Sequence, residues 1–195
     1  MYDEEGSNEL YNLTYEIINH FKNHIHPVGL VIHLTEDILN GHLDFMDDED
    51  QYGLPSSTIR INVISSPTLT VERIKSLCGN AMPIDTYVEI ANSVLDAKIE
   101  QVYSTALLYL NILLHELGHV HHGLKLHEAG RDINAMCNET VTMLKVYQPD
   151  LAIRYTLNPF ELYADSYMYS KLKTAYELFG ERLVKVLMDN LNRMR

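Results

Sequence analysis

The run Ala106-Leu107-Leu108-Tyr109-Leu110-Asn111-Ile112-Leu113-Leu114 leads straight into His115-Glu116-Leu117-Gly118-His119. A long, nearly unbroken apolar segment predicts a helix inside a core, and the two histidines lie four apart on it. Side chains at that spacing project from one helix face, one turn above the other. Both imidazoles can then reach a single Zn²⁺, and the glutamate after the first can lie close to a metal-bound water. HExxH also occurs by chance, as two polar residues closing a buried helix. The upstream run weakens that reading, because burying His, Glu and His without partners costs free energy. A metal ion is such a partner.

Length and composition set the frame. With 195 residues the chain is expected to form one domain, 1–195, large enough for a real core. A net charge of −12 argues against a nucleic-acid partner, which needs concentrated Lys and Arg, and against an anionic membrane surface. Cys78 and Cys137 make neither a disulfide framework nor a CxxC site, so reduced thiols are expected. The start, Met1-Tyr2-Asp3-Glu4-Glu5, is acidic where a secretion signal is basic and then apolar. The longest apolar stretch, from Val102 to Leu117, is interrupted by Ser104, Thr105, Asn111, His115 and Glu116. It reads as a core helix and not a membrane span. A cytoplasmic protein is the expectation.

Ser7 or Asn8 can cap a first helix carrying Leu10, Leu13, Ile17, Ile18 and Phe21 at helical spacing, ending before Pro27. Val28 to Thr35 reads as a strand, and Thr58 to Ile64 alternates as another. Between them Asp44 to Tyr52 reads as a solvated acidic loop, its spacing unlike that of an EF-hand. Thr70 can cap a short helix through Cys78, stopped by Gly79. Ile84 to Ala91 is expected to be a strand, and helix from Val94 to Gly123. Further helices are expected over Asn134 to Tyr147, Phe160 to Leu178 and, beyond Gly180, a last amphipathic segment. A helix, a few strands and then helices amount to an α+β fold, mostly helical, with a small N-terminal sheet.

A catalytic zinc site takes three protein ligands and leaves a position open. The long pattern HExxHxxGxxH fails here, since His122 stands where glycine is required and Lys125 where the third histidine belongs. His121, His122 and His127 therefore read as surface or hydrogen-bonding residues. The better candidate is Glu161 in Asn158-Pro159-Phe160-Glu161-Leu162-Tyr163-Ala164-Asp165. Glu161 and Asp165 share a helix face, and Phe160, Ala164, Tyr167 and Met168 form an adjoining apolar face that can dock on the core. Glu161 can ligate the metal, while Asp165 accepts the free N–H of a ligand histidine. A second reading stands beside it: Asn158 as N-cap, Pro159 at the first helical position and Glu161 at the third resemble a capping box. Asp165 is likewise favoured so near a helix start by the dipole alone.

HELGH followed by ELYAD resembles the gluzincin zinc metallopeptidases, whose pattern is HExxH plus ExxxD. The run from Asn158 to Tyr167 is similar to the motif of the compact ImmA/IrrE-type peptidases. The likeness spans Asn111 to Leu172. It implies His115, His119 and Glu161 as ligands of one Zn²⁺, Glu116 as general base and Asp165 behind a ligand histidine. It also implies a zincin-like fold, with a sheet packed on the active-site helix and an edge strand lining the cleft. The expected activity is metal-assisted hydrolysis of a peptide or protein substrate, which would pair with a strand edge, Thr58 to Ile64 or Ile84 to Ala91. Tyr155, Tyr163 and Tyr167 are candidates only by type for steadying an oxyanion, and no helix-turn-helix partner domain accompanies the motifs. The alternative is a zinc-binding interaction module without activity; a metal-free helical protein would make both motifs coincidences. Substrate and oligomeric state are open.

Overall fold

Helix α4 (Thr105–Glu128) is the element round which the others gather. Every residue from Thr105 to Gly118 is buried, so the helix has no solvent face over that length. A helix apolar on all sides must be covered on all sides. The computed structural model describes residues 4–22, 28–35, 40–49, 55–64, 68–78, 84–95, 102–131 and 158–193. The expected helix over Asn134 to Tyr147 lies outside these, as do Cys137 and Tyr155.

Two helices and a sheet supply the cover. Helix α1 (Glu4–Phe21) buries Leu10, Leu13, Ile17, Ile18 and Phe21, the stripe its spacing predicts. Strands β1 (Val28–Thr35), β2 (Asn40–Glu49) and β3 (Pro55–Ile64) form a sheet of order β1-β3-β2. β1 runs parallel to β3, with Leu30 opposite Ile59 and Ile32 opposite Ile61. β2 runs antiparallel to β3, with Asn40 opposite Asn62 and a register shift between Phe45 and Glu49. Val28, Leu30, Ile59 and Ile61 are buried while Arg60 is exposed, the alternation of a sheet with one face on a core. Within this sheet β2 and β3 pack on α4.

A second pairing, β4 (Thr68–Thr70) with β5 (Val102–Ser104), brings the chain into α4. Thr70 also caps α2 (Val71–Cys78), its hydroxyl oxygen accepting the Arg73 backbone N–H at 3.0 Å. Helix α3 (Ile84–Leu95) follows, and α5 (Pro159–Arg193) closes the described chain. The protein is mostly helical, with a small sheet segregated near the N-terminus: the α+β class.

Four expectations differ from this. Ile84 to Ala91 is helical, because Tyr87 and Ala91, four apart, are buried while Asp85 and Glu89 are exposed. Its β-branched and aromatic content pointed to a strand, but the burial follows a 3.6 period. The acidic stretch is not all loop: Asp44 to Glu49 belongs to β2, and Leu43 and Phe45 alternate with His42 and Asp44. Helix α4 begins at Thr105 and outruns Gly123, ending at a Schellman motif. There Gly130 has φ +68°, its N–H donates to the His127 carbonyl at 2.8 Å, and Arg131 N–H donates to Leu126 at 2.9 Å. Gly180 does not break α5. Met168, Leu172, Ala175, Phe179, Leu183 and Leu187 form one buried stripe across it, and that burial outweighs the cost of about 1 kcal/mol for a mid-helix glycine.

Candidate metal centre

The site is assembled by α4 and α5, which pack along one another. Asn158 accepts the Phe160 backbone N–H on its side-chain oxygen at 3.0 Å, and Pro159 occupies the first helical position. This starts α5 so that Glu161 and Asp165 face α4. Glu161 turns its carboxylate towards the imidazoles, with Oε2 3.1 Å from His115 Nε2 and 3.5 Å from His119 Nε2. The two Nε2 atoms stand 3.1 Å apart, their rings edge to face. Asp165 Oδ1 lies 2.9 Å from His115 Nδ1. His115, His119 and Glu161 are the group among the described residues that could hold a metal ion.

The donor set fits a cation. An ionised carboxylate can only accept, so the His115 Nδ1–H donates to Asp165 and the Nε2 side faces Glu161 and His119. Three donors about 2.0–2.2 Å from a tetrahedral centre stand roughly 3.3–3.5 Å apart, and the separations here are 3.1, 3.1 and 3.5 Å. Electrostatics point the same way. Burial pulls the His115 pKa down, but hydrogen bonds to Asp165 and Glu161, with the charges of Glu116 and Glu161, push it up to about 10. Burial would raise the Glu161 pKa, yet hydrogen bonds and charge from His115 and His119 hold it far below the carboxylate range. The carboxylates round this buried ring favour positive charge at the place where the three donors converge.

Glu116 is buried beside this group, close enough for its charge to act on His115. His115, Glu116, His119, Glu161 and Asp165 thus meet in one place. His121 and His122 pack against α5. His121 Nδ1 is 2.8 Å from the Tyr163 hydroxyl, and His122 stacks on the Tyr163 ring with centroids 4.2 Å apart. Burial, together with the charges of His119, His121 and Lys125, lowers the His122 pKa. His127 lies in the last turn of α4. Tyr167 donates its hydroxyl proton to the Phe21 carbonyl at 2.9 Å, so two of the three tyrosines considered for an oxyanion have their hydroxyls engaged in packing contacts.

Tyr87 is a neighbour that the sequence did not bring forward. It is buried on α3 with its ring centroid 6.1 Å from that of His115. Reading its segment as a helix would have placed Tyr87 and Ala91 on one inward face. Compared with protein-family models, curated proteins and solved structures, the chain matches none of them.

Proposed function

We propose that this chain is a zinc-dependent peptidase of gluzincin type, with His115, His119 and Glu161 holding the metal and Glu116 as general base. The convergence of two imidazoles and a carboxylate from separate helices, with Glu116 buried beside them, carries this reading. A closed structural zinc site has four protein ligands, commonly cysteines. Among the described residues three donors converge, and Cys78, the thiol among them, ends α2.

When bound, zinc supplies Lewis-acid polarisation of a substrate carbonyl and makes a water easier to deprotonate. Glu116 accepts the proton of the attacking water as its oxygen bonds to the carbonyl carbon, then passes it to the departing amine as the C–N bond breaks. Asp165 fixes the tautomer and orientation of His115 through Nδ1. Neither strand edge expected for substrate pairing serves: Thr58 to Ile64 lies in the central strand, and Ile84 to Ala91 is helical. β2 is the outer strand on the side that packs on α4, and an extended peptide would add to it.

The decisive experiment measures zinc per chain and peptide cleavage in wild type, Glu161→Ala and Glu116→Gln. The expected result is one zinc in wild type, little in Glu161→Ala, and full zinc without cleavage in Glu116→Gln. Cleavage at the wild-type rate by Glu116→Gln would refute the mechanism. Zinc with no cleavage of any peptide by wild type would favour a binding module.

A further inference from the structure

Gly118 lies against Ala164 where α4 and α5 approach closely beside the site. A methyl group at position 118 would come within 2.8 Å of Ala164 Cα, 3.0 Å of its carbonyl oxygen and 3.1 Å of Tyr167 Cβ. Two of these three atoms are backbone, so no side-chain rotation relieves the clash. Both residues are buried.

The positions round this contact are related by the same offsets on both helices. His115 and His119 stand three residues before and one after Gly118; Glu161 and Asp165 stand three before and one after Ala164. The 2.9 Å contact of His115 with Asp165 and the 3.1 Å contact with Glu161 therefore flank this close approach of the two helices. Imidazole and carboxylate arms have a limited reach through a few staggered rotamers, so the separation of the backbones constrains how their ends meet. Moving Ala164 Cα from 2.8 Å to an ordinary 3.4 Å would displace α5 by about 0.6 Å, where a metal site tolerates about 0.2 Å.

We infer that Gly118 is a positioning residue whose missing side chain, through the Gly118–Ala164 contact, sets the distance between the His115/His119 pair and Glu161. This rests on the reading that those three residues bind a metal. Ordinary core packing by a small residue would affect stability but not the geometry of ligation, and the two are separable.

The test compares wild type, Gly118→Ala and, as a control remote from the site, Gly180→Ala. Each metal-free protein is first checked for helical content and a cooperative melt. Zinc affinity is then measured by competition with a chelator, and the visible spectrum of the Co²⁺-loaded protein reports ligand geometry. Gly118→Ala is expected to fold, to bind zinc at least tenfold more weakly, and to show an altered Co²⁺ spectrum, while Gly180→Ala matches wild type in both. Wild-type affinity and spectrum in Gly118→Ala would overturn the inference and leave the metal site standing. No binding by wild type would overturn the metal site itself. Should Gly118→Ala fail to fold, Ala164→Ser, which adds one atom to the buried residue that Gly118 touches, carries the same expectation and the same refutation.

Discussion

At the scale of single residues, the site depends on a few short contacts made by buried polar groups. The side chain of His115 is 4% exposed, and its ring is held on one side by Asp165. Asp165→Asn keeps the shape and an acceptor for the Nδ1–H but removes the charge that makes the ring a better ligand. Zinc affinity should fall about tenfold in Asp165→Asn and nearer a hundredfold in Asp165→Ala, read by chelator competition. Unchanged affinity in both would mean that Asp165 serves only the helix dipole. These residues were legible in the sequence because an i, i+4 relation on a helix holds whatever the helix packs against. The choice between cap and ligand for Glu161 was not legible; it depended on how close α4 and α5 come. Gly118 and Ala164 make that approach, and neither has a functional group to draw attention.

At the scale of elements, local signals were right where one period dominated and wrong where tertiary burial overruled propensity. The stripe on α1 and the Asn158-Pro159 start of α5 could be read from spacing and caps. β2 was hidden because its acidic residues read as a solvated loop, although an edge strand pairs through its backbone whatever the charge. Glycines misled twice, since Gly123 and Gly180 lie within helices whose burial carries them through, while Gly130 is the one that stops α4. A methyl at Gly130 would meet nothing within 4 Å, so its substitution tests backbone conformation alone. Gly130→Ala should cost about 1 kcal/mol in urea unfolding with an unchanged m-value, because a φ of +68° is unfavourable for a residue with Cβ. Zinc affinity should be unaffected.

At the scale of the whole molecule, α1 and α5 are joined directly, which no window of sequence could have indicated. Arg182 donates to both carboxylate oxygens of Glu16 at 2.7 Å, and Tyr167 reaches the Phe21 carbonyl. The hydrogen bond and charge of Arg182 hold the Glu16 carboxyl below its ordinary 4.5. The pair therefore stabilises the fold above that pH, and its contribution is lost as pH falls through the lower folded value. Arg182→Met should lose no more than about 1 kcal/mol near neutrality, since both groups are exposed, and the gap to wild type should narrow as pH falls below the ordinary carboxylate range. The metal site adds a second global link. Zinc at a hundred times its dissociation constant should stabilise the wild type by about 2.7 kcal/mol, seen as a higher Tm that a chelator reverses and Glu161→Ala lacks. The strand order β1-β3-β2 was equally out of reach, because a parallel pair with its neighbour inserted in sequence but not in space is a long-range choice. The embrace of α1 by α5 also has a consequence for biosynthesis. α1 leaves the ribosome before α5, which completes it, so the surface round Phe21 that receives Phe179 and Tyr167 lacks that cover until α5 emerges. A nascent chain halted before that point would present a chaperone with an unfinished apolar seam.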